Sequence, residues 1–221
     1  MAISQKQQLA WQNRLSGLVD RMRENMEDGA LTDAYQANRE EMIAILNRAL
    51  ASEWSAVMQY WHHYFMASDI HSAALKDFWK KEAMGELEHI EKIGQRIQML
   101  GGVPCDRPED IATQTPTPVE YGHDLRSMLE ADLAAERATI VFYSDIVRYA
   151  QNNDIVTRRL FEDILEDEEE HADELSTLLY AYDASTNEQI STLHESIGSG
   201  RGTSRQPEPM RPREQMAARG R

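Results

Sequence analysis

Two Glu-x-x-His pairs are the residues of this chain best suited to chemistry: Glu86 with His89, and Glu168 with His171. Residues i and i+3 lie about 60° apart around a helix, so each pair can direct a carboxylate oxygen and an imidazole nitrogen at one point. Such a mixed oxygen and nitrogen ligand set suits iron or manganese. The spacing therefore predicts two matched halves of a metal site.

Each pair follows a further glutamate at nearly the same distance. Glu53 stands 33 residues before Glu86, and Glu136 stands 32 residues before Glu168. A tyrosine comes seven residues after each of the two earlier glutamates. One such glutamate could reflect a misjudged helix rotation, but four in a repeated register indicate that the two halves of the chain repeat one arrangement. The two tyrosines are Tyr60 and Tyr143.

The four glutamates interrupt the apolar stripes of four long amphipathic segments, which places them on inward faces. A buried, unpaired carboxylate costs several kcal/mol, so four of them on converging faces require cations to neutralise them. Two metal ions satisfy that requirement. Because no cysteine belongs to this set of ligands, a structural zinc site is disfavoured.

The segments that carry these residues are predicted to be helices. Asn38, followed by Glu41, has the pattern of an N-terminal capping box. The run from Gly101 to Pro104 is typical of the residues that follow a helix. The predicted helices are an accessory helix at about 4–27 that ends at Asp28-Gly29, helix A at 39–66, helix B at 71–100, helix C at 121–151, and helix D up to about 183.

The lengths of the connections predict the topology. Short turns between A and B and between C and D make antiparallel pairs, whereas the B–C connection is long and contains four prolines. Twenty extended residues reach about 65 Å, more than the roughly 45 Å of a thirty-residue helix. The chain is therefore predicted to be all-α, a four-helix bundle with one long crossover between B and C.

Three regions are expected along the chain: an N-terminal accessory helix and linker at 1–37, the four-helix bundle at 38–183, and a flexible C-terminal tail at 184–221. From residue 196 the tail holds six arginines against two glutamates, together with glycine, serine and proline. Such a composition predicts disorder.

The composition excludes several classes of protein. A single cysteine, Cys105, excludes an intrachain disulfide framework. Neither a signal peptide nor a membrane-spanning run is recognisable, which predicts a cytoplasmic location and no membrane partner. The net charge of −15 argues against nucleic-acid binding by the folded body and is compatible with attracting cations.

Residues 41–183 resemble the ferritin-like superfamily, in particular its bacterioferritin type. The stretches ALASEWSAVMQYW and GELEHIEKIGQRIQMLGGVP are most similar to the bacterioferritin-like Dps family, DpsL. One glutamate from each of two helices and Glu-x-x-His from each of the other two is the ligand pattern of di-iron and di-manganese proteins of this fold. The matching residues here are Glu53, Glu86, His89, Glu136, Glu168 and His171.

The resemblance implies roles for these residues. Glu86 and Glu168 correspond to ligands that bridge two metals, and Tyr60 corresponds to a tyrosine beside the centre that donates a hydrogen bond or an electron. Tyr143, its repeat partner, has the weaker claim. Two iron ions per subunit are the implied cofactors, with manganese as the other metal considered.

This chain departs from the family pattern at three places. Haem is not expected, because Leu87 stands where haem-binding bacterioferritins have methionine. Lys81 and Gly85 replace the ligands of an inner-surface iron site found in some members. The cysteine pair of DpsL proteins is missing, since Ala138 occupies one of its places.

Other candidate residues are given structural roles. His62, His63 and His71 are expected at the surface or at an interface, and the tryptophans Trp54, Trp61 and Trp79 in packing or subunit contacts. Glu82, one turn before Glu86, is a candidate for contact with a metal ligand rather than with metal. Carboxylates expected to point away from the centre are Glu88, Glu91, Glu169 and Glu170.

The function implied is a ferroxidase that oxidises Fe(II) to Fe(III) with O2 or H2O2, for iron storage, detoxification and protection from oxidative stress. The resemblance implies a hollow homo-oligomeric cage of twelve or twenty-four subunits. A di-metal peroxidase or manganese catalase could use the same ligands without storage. A DNA-coating protein could use the arginine-rich tail. The tail segment SIGSGRG also resembles peptides that dock cargo in encapsulin shells.

Overall fold

The computed structural model describes residues 3–24, 26–68 and 72–199, and over these residues the regular structure is helical. The helices are α1 (Gln5–Leu15), α2 (Leu18–Met22), α3 (Arg39–Met66), α4 (Ser72–Met99), α5 (Pro108–Gln114), α6 (Leu125–Ala150) and α7 (Ile155–Ser199), with a 3₁₀ turn at Met26–Asp28. Residues Met1–Tyr182 form one compact unit, and a second begins at Asp183.

Contacts between helix ends define the topology. Arg39 at the start of α3 donates to the Leu100 carbonyl just after α4, and Tyr149 near the end of α6 donates to Glu41 in the first turn of α3. Helix α3 is therefore antiparallel to both α4 and α6, so that α4 and α6 run in the same direction. The predicted bundle with one long crossover is confirmed.

The start of α3 and the end of α4 are capped as the sequence predicts. The Asn38 side chain accepts a hydrogen bond from the Glu41 amide, and α3 begins at the following residue. After α4, Gly101 takes a positive φ of 73°. The Gly102 and Gly101 amides then donate to the carbonyls of Ile97 and Gln98, which is the Schellman arrangement that stops a helix.

Hydrogen bonds attach the crossover to α3 at three places. The Cys105 amide donates to Asn47, Ser52 bonds to Thr117, and the Glu120 amide donates to Gln59. Because the α3 partners advance as the crossover advances, the loop follows α3 for much of its length. The short helix α5 within this loop was not predicted, although Pro108 at its first turn is a favourable helix start.

Two apolar clusters fill the described part of the bundle. One contains Leu46, Ile93, Ile97, Tyr143 and Phe161, and the other contains Tyr60, Trp79, Leu129 and Leu175. The buried carboxylates belong to neither cluster, which leaves a polar layer between them.

Several predicted boundaries differ from the structure. The accessory helix was predicted as one piece, but it breaks at Ser16, where Gly17 adopts φ 66°. Its apolar side chains Trp11 and Leu15 are 59% and 56% exposed, so packing among the described residues does not favour one continuous helix. Helix D was predicted to end near 183, whereas α7 continues to Ser199.

The flexible tail was predicted to begin at residue 184, but residues 184–199 belong to α7. Residues from 200 onward lie outside the described part of the chain, so the disorder predicted there stays a prediction. Within the described residues, no helix has the length and apolar character that crossing a membrane requires.

Candidate metal centre

Four glutamates, one from each long helix, meet in the polar layer of the bundle. Glu53 on α3, Glu86 on α4 and Glu168 on α7 are each 1% exposed, and Glu136 on α6 is 4% exposed. Each lies on the stripe that its helix turns toward the other three. The structure thus brings together all four glutamates that the repeated spacing singled out.

Both histidines of the Glu-x-x-His pairs point their Nδ1 atoms into this group. His89 Nδ1 lies 3.0 Å from Glu86 Oε2 and 3.3 Å from Glu168 Oε1. His171 Nδ1 lies 3.3 Å from Glu86 Oε1 and 3.5 Å from Glu168 Oε2. The two imidazoles therefore approach the same pair of carboxylates, with ring centroids 6.2 Å apart.

Among the described residues, the side chains form two overlapping groups in which one ligand atom from each residue lies within 4.8 Å of the others. The first group is Glu53, Glu86, His89 and Glu168, and the second is Glu86, Glu136, Glu168 and His171. Glu86 and Glu168 belong to both. A pair of shared carboxylates between two outer ligand sets is the geometry of a two-metal site.

A tyrosine contacts each outer carboxylate. The Tyr60 hydroxyl donates to Glu136, and the Tyr143 hydroxyl donates to Glu53. Tyr60 and Tyr143 are 1% and 0% exposed. The repeat seen in the sequence therefore holds for the hydrogen bonds as well as for the ligand atoms.

Comparison with known families decides the relationship. Residues 43–183 match the family Ferritin, described as the ferritin-like domain. The chain belongs to the ferritin family. The resemblance expected from the sequence is thereby confirmed.

Known members of the ferritin family include bacterioferritins that match most of this chain. It is 35% identical over 144 residues to the bacterioferritin of Rhodobacter capsulatus, a match that covers 65% of this chain and 85% of that protein. A bacterioferritin of Desulfovibrio desulfuricans, described with a diiron site in different catalytic states, is 29% identical with TM-score 0.61 and covers 70% of this chain and 86% of its own.

A further solved structure of the family is the bacterioferritin-related protein from Bacteroides fragilis, described as a dodecameric thioferritin. It is 26% identical, has a TM-score of 0.66, and covers 69% of this chain and 92% of its own. The similarity extends through the bundle of this ferritin family member.

The outer nitrogens of the two imidazoles contact further carboxylates. His89 Nε2 lies 3.2 Å from Asp167 Oδ2, and His171 Nε2 lies 2.9 Å from Glu82 Oε2. A carboxylate on the outer nitrogen fixes the ring and leaves Nδ1 free to bind metal. Glu82 thus contacts a metal ligand, as expected from the sequence. Asp167 was not predicted, because it lies in a run of acidic residues and nothing in the sequence distinguishes it from its neighbours.

Burial and mutual repulsion dominate the titration of the carboxylates. Burial, followed by the charge of Glu86, raises the pKa of Glu53 to about 7. Burial and the charges of Glu168 and Glu86 raise the pKa of Glu136 well above its usual range. Burial would also raise the pKa of Glu168, but the neighbouring imidazoles of His171 and His89 lower it.

The two imidazoles are shifted in the opposite sense. Burial alone would lower the pKa of His89, but the neighbouring carboxylates of Glu168, Glu53 and Glu86 raise it strongly. The pKa of His171 is raised in the same way, because the neighbouring carboxylates of Glu168 and Glu82 outweigh its burial. The centre therefore attracts positive charge, which imidazolium ions or metal ions can supply.

Unpaired polar atoms test whether these residues fit a metal. At the centre, Glu86 Oε1, Glu168 Oε1, His171 Nδ1 and both carboxylate oxygens of Glu82 are buried without a hydrogen-bond partner, since their short distances lack hydrogen-bond geometry. Buried polar atoms are rarely left in this condition. Three of these five atoms belong to the proposed ligand set, and Glu82 contacts the ligand His171, so the donor atoms present fit two divalent metal ions.

Histidine 63 was placed wrongly by the sequence analysis. It was expected at the surface or an interface, but it is 0% exposed and its Nδ1 lies 3.0 Å from Asp132 Oδ2. The signal for it was available, because His63 follows Tyr60 by one helical turn on the inward face. His62 is half-buried against Tyr121, and the prediction for His71 falls outside the described residues.

The remaining predictions of exposure agree with the structure. The four glutamates expected to point away from the centre, Glu88, Glu91, Glu169 and Glu170, are exposed. Trp79 is fully buried, and Trp54 and Trp61 are half-buried.

Proposed function

We propose that this protein is a ferroxidase that oxidises Fe(II) to Fe(III) at the bundle centre and stores the product. The observation that carries this proposal is the pair of overlapping ligand groups that share Glu86 and Glu168. Two Fe(II) ions held side by side can give two electrons to one oxidant, which avoids the radicals released by one-electron steps.

The six residues divide into two outer sets and one shared set. Glu53 with His89 would bind one iron, Glu136 with His171 would bind the other, and Glu86 with Glu168 would contact both. Carboxylate-rich ligands suit Fe(II) and stabilise the more highly charged Fe(III) further. Oxidation is favoured by this difference.

The numbers of electrons given by iron and taken by the oxidant balance for both O2 and H2O2. O2 accepts two electrons from two Fe(II) ions and two protons to give H2O2. Alternatively, H2O2 accepts two electrons and two protons, its O–O bond breaks, and two water molecules form. The protein contributes by fixing the ligands: Tyr60 and Tyr143 hold the outer carboxylates, and Asp167 and Glu82 hold the imidazoles.

Storage requires a closed assembly, and we propose a homo-oligomeric cage. Support comes from the Bacteroides fragilis relative, which is described as dodecameric. Manganese in place of iron, and the related peroxidase or catalase activity, stay alternative predictions. The expected lack of haem, the cytoplasmic location, and binding to DNA or an encapsulin shell also stay predictions.

The proposal is tested by adding Fe(II) in air to the purified protein and following the appearance of Fe(III). The Glu86→Ala variant removes a ligand common to both groups, so it should lose the fast oxidation. Glu88→Ala is the matched control, because Glu88 is an exposed glutamate on the same helix. Equal rates in wild type and Glu86→Ala would refute the ferroxidase proposal.

Storage is tested separately by the size of the particle and its iron content after repeated additions. The proposal expects a large assembly that retains many more irons per subunit than the two at the centre. A dimer that releases the ferric product would contradict storage while leaving ferroxidase activity intact. Metal analysis of the protein as isolated distinguishes iron from manganese.

A further inference from the structure

An apolar groove lies on the surface where α5 and the rest of the crossover pack against α3. Its cavity measures about 570 Å³. Trp54 in the groove is half-buried, whereas Met58 and Tyr121 are 47% and 60% exposed. The groove therefore presents aromatic rings and a flexible thioether to a ligand. The apolar side chains that give it this character are Trp54, Met58, Pro108, Ile111, Pro118 and Tyr121.

The aromatic side chains indicate which kind of ligand fits the groove. The Tyr121 ring is tilted against the ring of His62, with centroids 4.2 Å apart, so one of its faces is supported. Among the described residues, none accepts a hydrogen bond from the Trp54 indole N–H. An indole donor usually finds an acceptor when it is buried, and a backbone carbonyl of a ligand would be one. Grooves lined by aromatic rings are the surfaces that recognise proline-rich segments in the polyproline II conformation.

Acidic side chains surround one end of the groove and form what we call the acidic rim, Asp106 and Glu109. Asp106 lines the groove itself, and Glu109 lies in the first turn of α5. The neighbouring Arg107 pairs with Asp110 at 3.6 Å. Within the described part of the chain, no cation lies at ion-pair distance from either residue of the rim. The groove thus favours a ligand that combines apolar groups with positive charge.

One segment of this chain has that composition: residues 205–213, RQPEPMRPR, which lie outside the described residues. It contains three of the seven prolines of the chain, and three arginines against one glutamate. Prolines favour the polyproline II helix, which has three residues per turn, so Pro209 and Pro212 would fall on one face. Arg211 and Arg213 would fall on the neighbouring faces. The segment can therefore present prolines to an apolar surface and guanidinium groups to carboxylates.

We propose that segment 205–213 docks in the groove, with its prolines against the aromatic rings and its arginines beside the acidic rim. The segment begins six residues after Ser199, so about 20 Å of extended chain separates it from the end of α7. A segment that already favours the polyproline II conformation loses little entropy on docking. The same contacts form whether the tail belongs to the same chain or to a neighbouring copy. The inference is independent of the ferroxidase proposal.

The other candidate for covering the groove is the same face of a second copy. A two-fold axis brings like surfaces together, so such a contact would place one acidic rim near another. Like charges that face each other across an interface weaken it. The whole chain has a net charge of −15 although six arginines lie after residue 199, so the rest of the protein is more acidic still. Charge complementarity therefore favours the tail.

Disulfide cross-linking of the full-length chain tests the docking. Ala112→Cys places a thiol on an exposed residue of α5 that lines the groove, and Met210→Cys places one between Pro209 and Pro212. Under mild oxidation, this pair should form a disulfide several-fold faster than Ala112→Cys paired with Met216→Cys, the matched control from the same tail. Equal rates for the two pairs would overturn the inference.

The native cysteine does not confuse this test, because Cys105 is buried and peptide mapping identifies which thiols have joined. Denaturing gels of the doubly substituted chain then show whether the tail docks on its own chain, which leaves the mass unchanged, or on a neighbouring copy, which doubles it. The chain with Ala112→Cys alone tests the other occupant. If two such chains join each other faster than Ala112→Cys joins Met210→Cys, a second copy covers the groove and the inference fails.

Proteolysis tests the docking without added cysteines. Trypsin should cut after Arg205 and Arg213 several-fold more slowly in the full-length chain than in a synthetic peptide of residues 200–221, whereas cutting after Arg219 should be little changed. Tyr121→Ala should abolish this protection. Tyr180→Ala, which also removes an exposed ring, is the matched control and should keep it. Absence of protection in wild type, or protection that survives Tyr121→Ala, would contradict the docking.

The contribution of the acidic rim is measured with the same cross-link. Asp106→Lys reverses a charge that lines the groove and should slow the disulfide between the thiols at 112 and 210 several-fold. Asp145→Lys, a change at an exposed residue of α6, is the matched control and should not. High salt should slow the reaction of the unreversed chain, because it screens exposed charges. An unchanged rate in Asp106→Lys would refute the role of the rim.

Discussion

The two buried tyrosines are equivalent at the level of single hydrogen bonds. Tyr60 donates to Glu136 and Tyr143 donates to Glu53, each across the bundle between α3 and α6. The resemblance to bacterioferritins singled out Tyr60 and gave Tyr143 the weaker claim. The contacts give no reason to rank them, since both hydroxyls hold an outer carboxylate of the centre.

Replacing either tyrosine with phenylalanine should therefore have a similar effect on stability. Each change leaves a buried carboxylate oxygen without its donor, which costs about 1–3 kcal/mol. Thermal unfolding of Tyr60→Phe and Tyr143→Phe measures this cost. A loss of stability confined to Tyr60→Phe would show that the two matching hydrogen bonds do not contribute equally to the free energy of unfolding.

The sequence reveals residues whose role is repeated and misses those whose partner comes from another helix. Glu53, Glu86, Glu136 and Glu168 were identifiable because they break apolar stripes in matching positions. Asp132 stands one turn before Glu136 on the same stripe, but nothing in the sequence shows that Trp79 and Gln59 both donate hydrogen bonds to it. Pairing across helices depends on packing, which the spacing along one helix does not encode.

At the scale of helices, a buried ion pair joins α4 to the start of α7. Arg96 Nη2 donates to Asp154 Oδ1 at 2.8 Å, and Asp154 also accepts from the Thr157 amide at 2.9 Å, which caps α7. The Arg96 and Asp154 side chains are 10% and 1% exposed. The turn before α7 was predicted from the sequence, but its anchor on α4 was not.

The Asp154→Ala variant should be strongly destabilised. It leaves the Arg96 charge buried and unpaired and removes the cap, a loss of about 3–5 kcal/mol for breaking a buried pair. Chemical denaturation measures the change. Asp145→Ala is the control, since the Asp145–Arg148 pair is 68% and 70% exposed and should contribute less than about 1 kcal/mol. Equal losses would refute the assigned role.

Asp124 caps α6 and gives that helix end a dependence on pH. Hydrogen bonds from the amide and then the hydroxyl of Ser127 lower the pKa of Asp124. Because the folded pKa is below the unfolded value of about 3.9, the stabilisation is present above that pH and disappears as pH falls through the folded pKa.

Asp124→Ala should therefore cost about 1 kcal/mol at neutral pH, and the difference from wild type should shrink below about pH 4. Asp124→Asn, which caps without ionising, serves as the control and should show little dependence on pH. Denaturation midpoints of the three proteins at neutral and acidic pH measure this. A constant difference for Asp124→Ala would contradict the role given to the carboxylate.

Differences between predicted and observed elements have local causes. The accessory helix breaks because Gly17 takes a left-handed conformation and no described residue of α1 or α2 is buried. Periodicity predicted the stripe of Trp11 and Leu15 but could not show that both side chains are left exposed in the described part of the chain. Helix α5 was hidden in a proline-rich loop, whose hydrogen-bond partners on α3 lie 58 and 65 residues earlier in the chain.

At the scale of the whole molecule, the composition of the basic tail favours binding to nucleic acid, whereas the charge of the acidic body disfavours it. The net charge is −15, yet six arginines follow residue 200. Deleting 200–221 leaves α7 at its full length, and should abolish any shift of DNA in a gel at low salt. Binding by the tail should also weaken at high salt, because it depends on phosphate contacts. A shift that survives the deletion would contradict a role for the tail.

The proposal that two metal ions share Glu86 and Glu168 is the central claim, and anaerobic titration with Fe(II) tests it most directly. Wild type should bind two Fe(II) per subunit, and Glu53→Ala, which damages only one group, should keep one tight site. Glu86→Ala should lose both. Undiminished binding of two irons by Glu86→Ala, or equal losses in the two variants, would contradict the account.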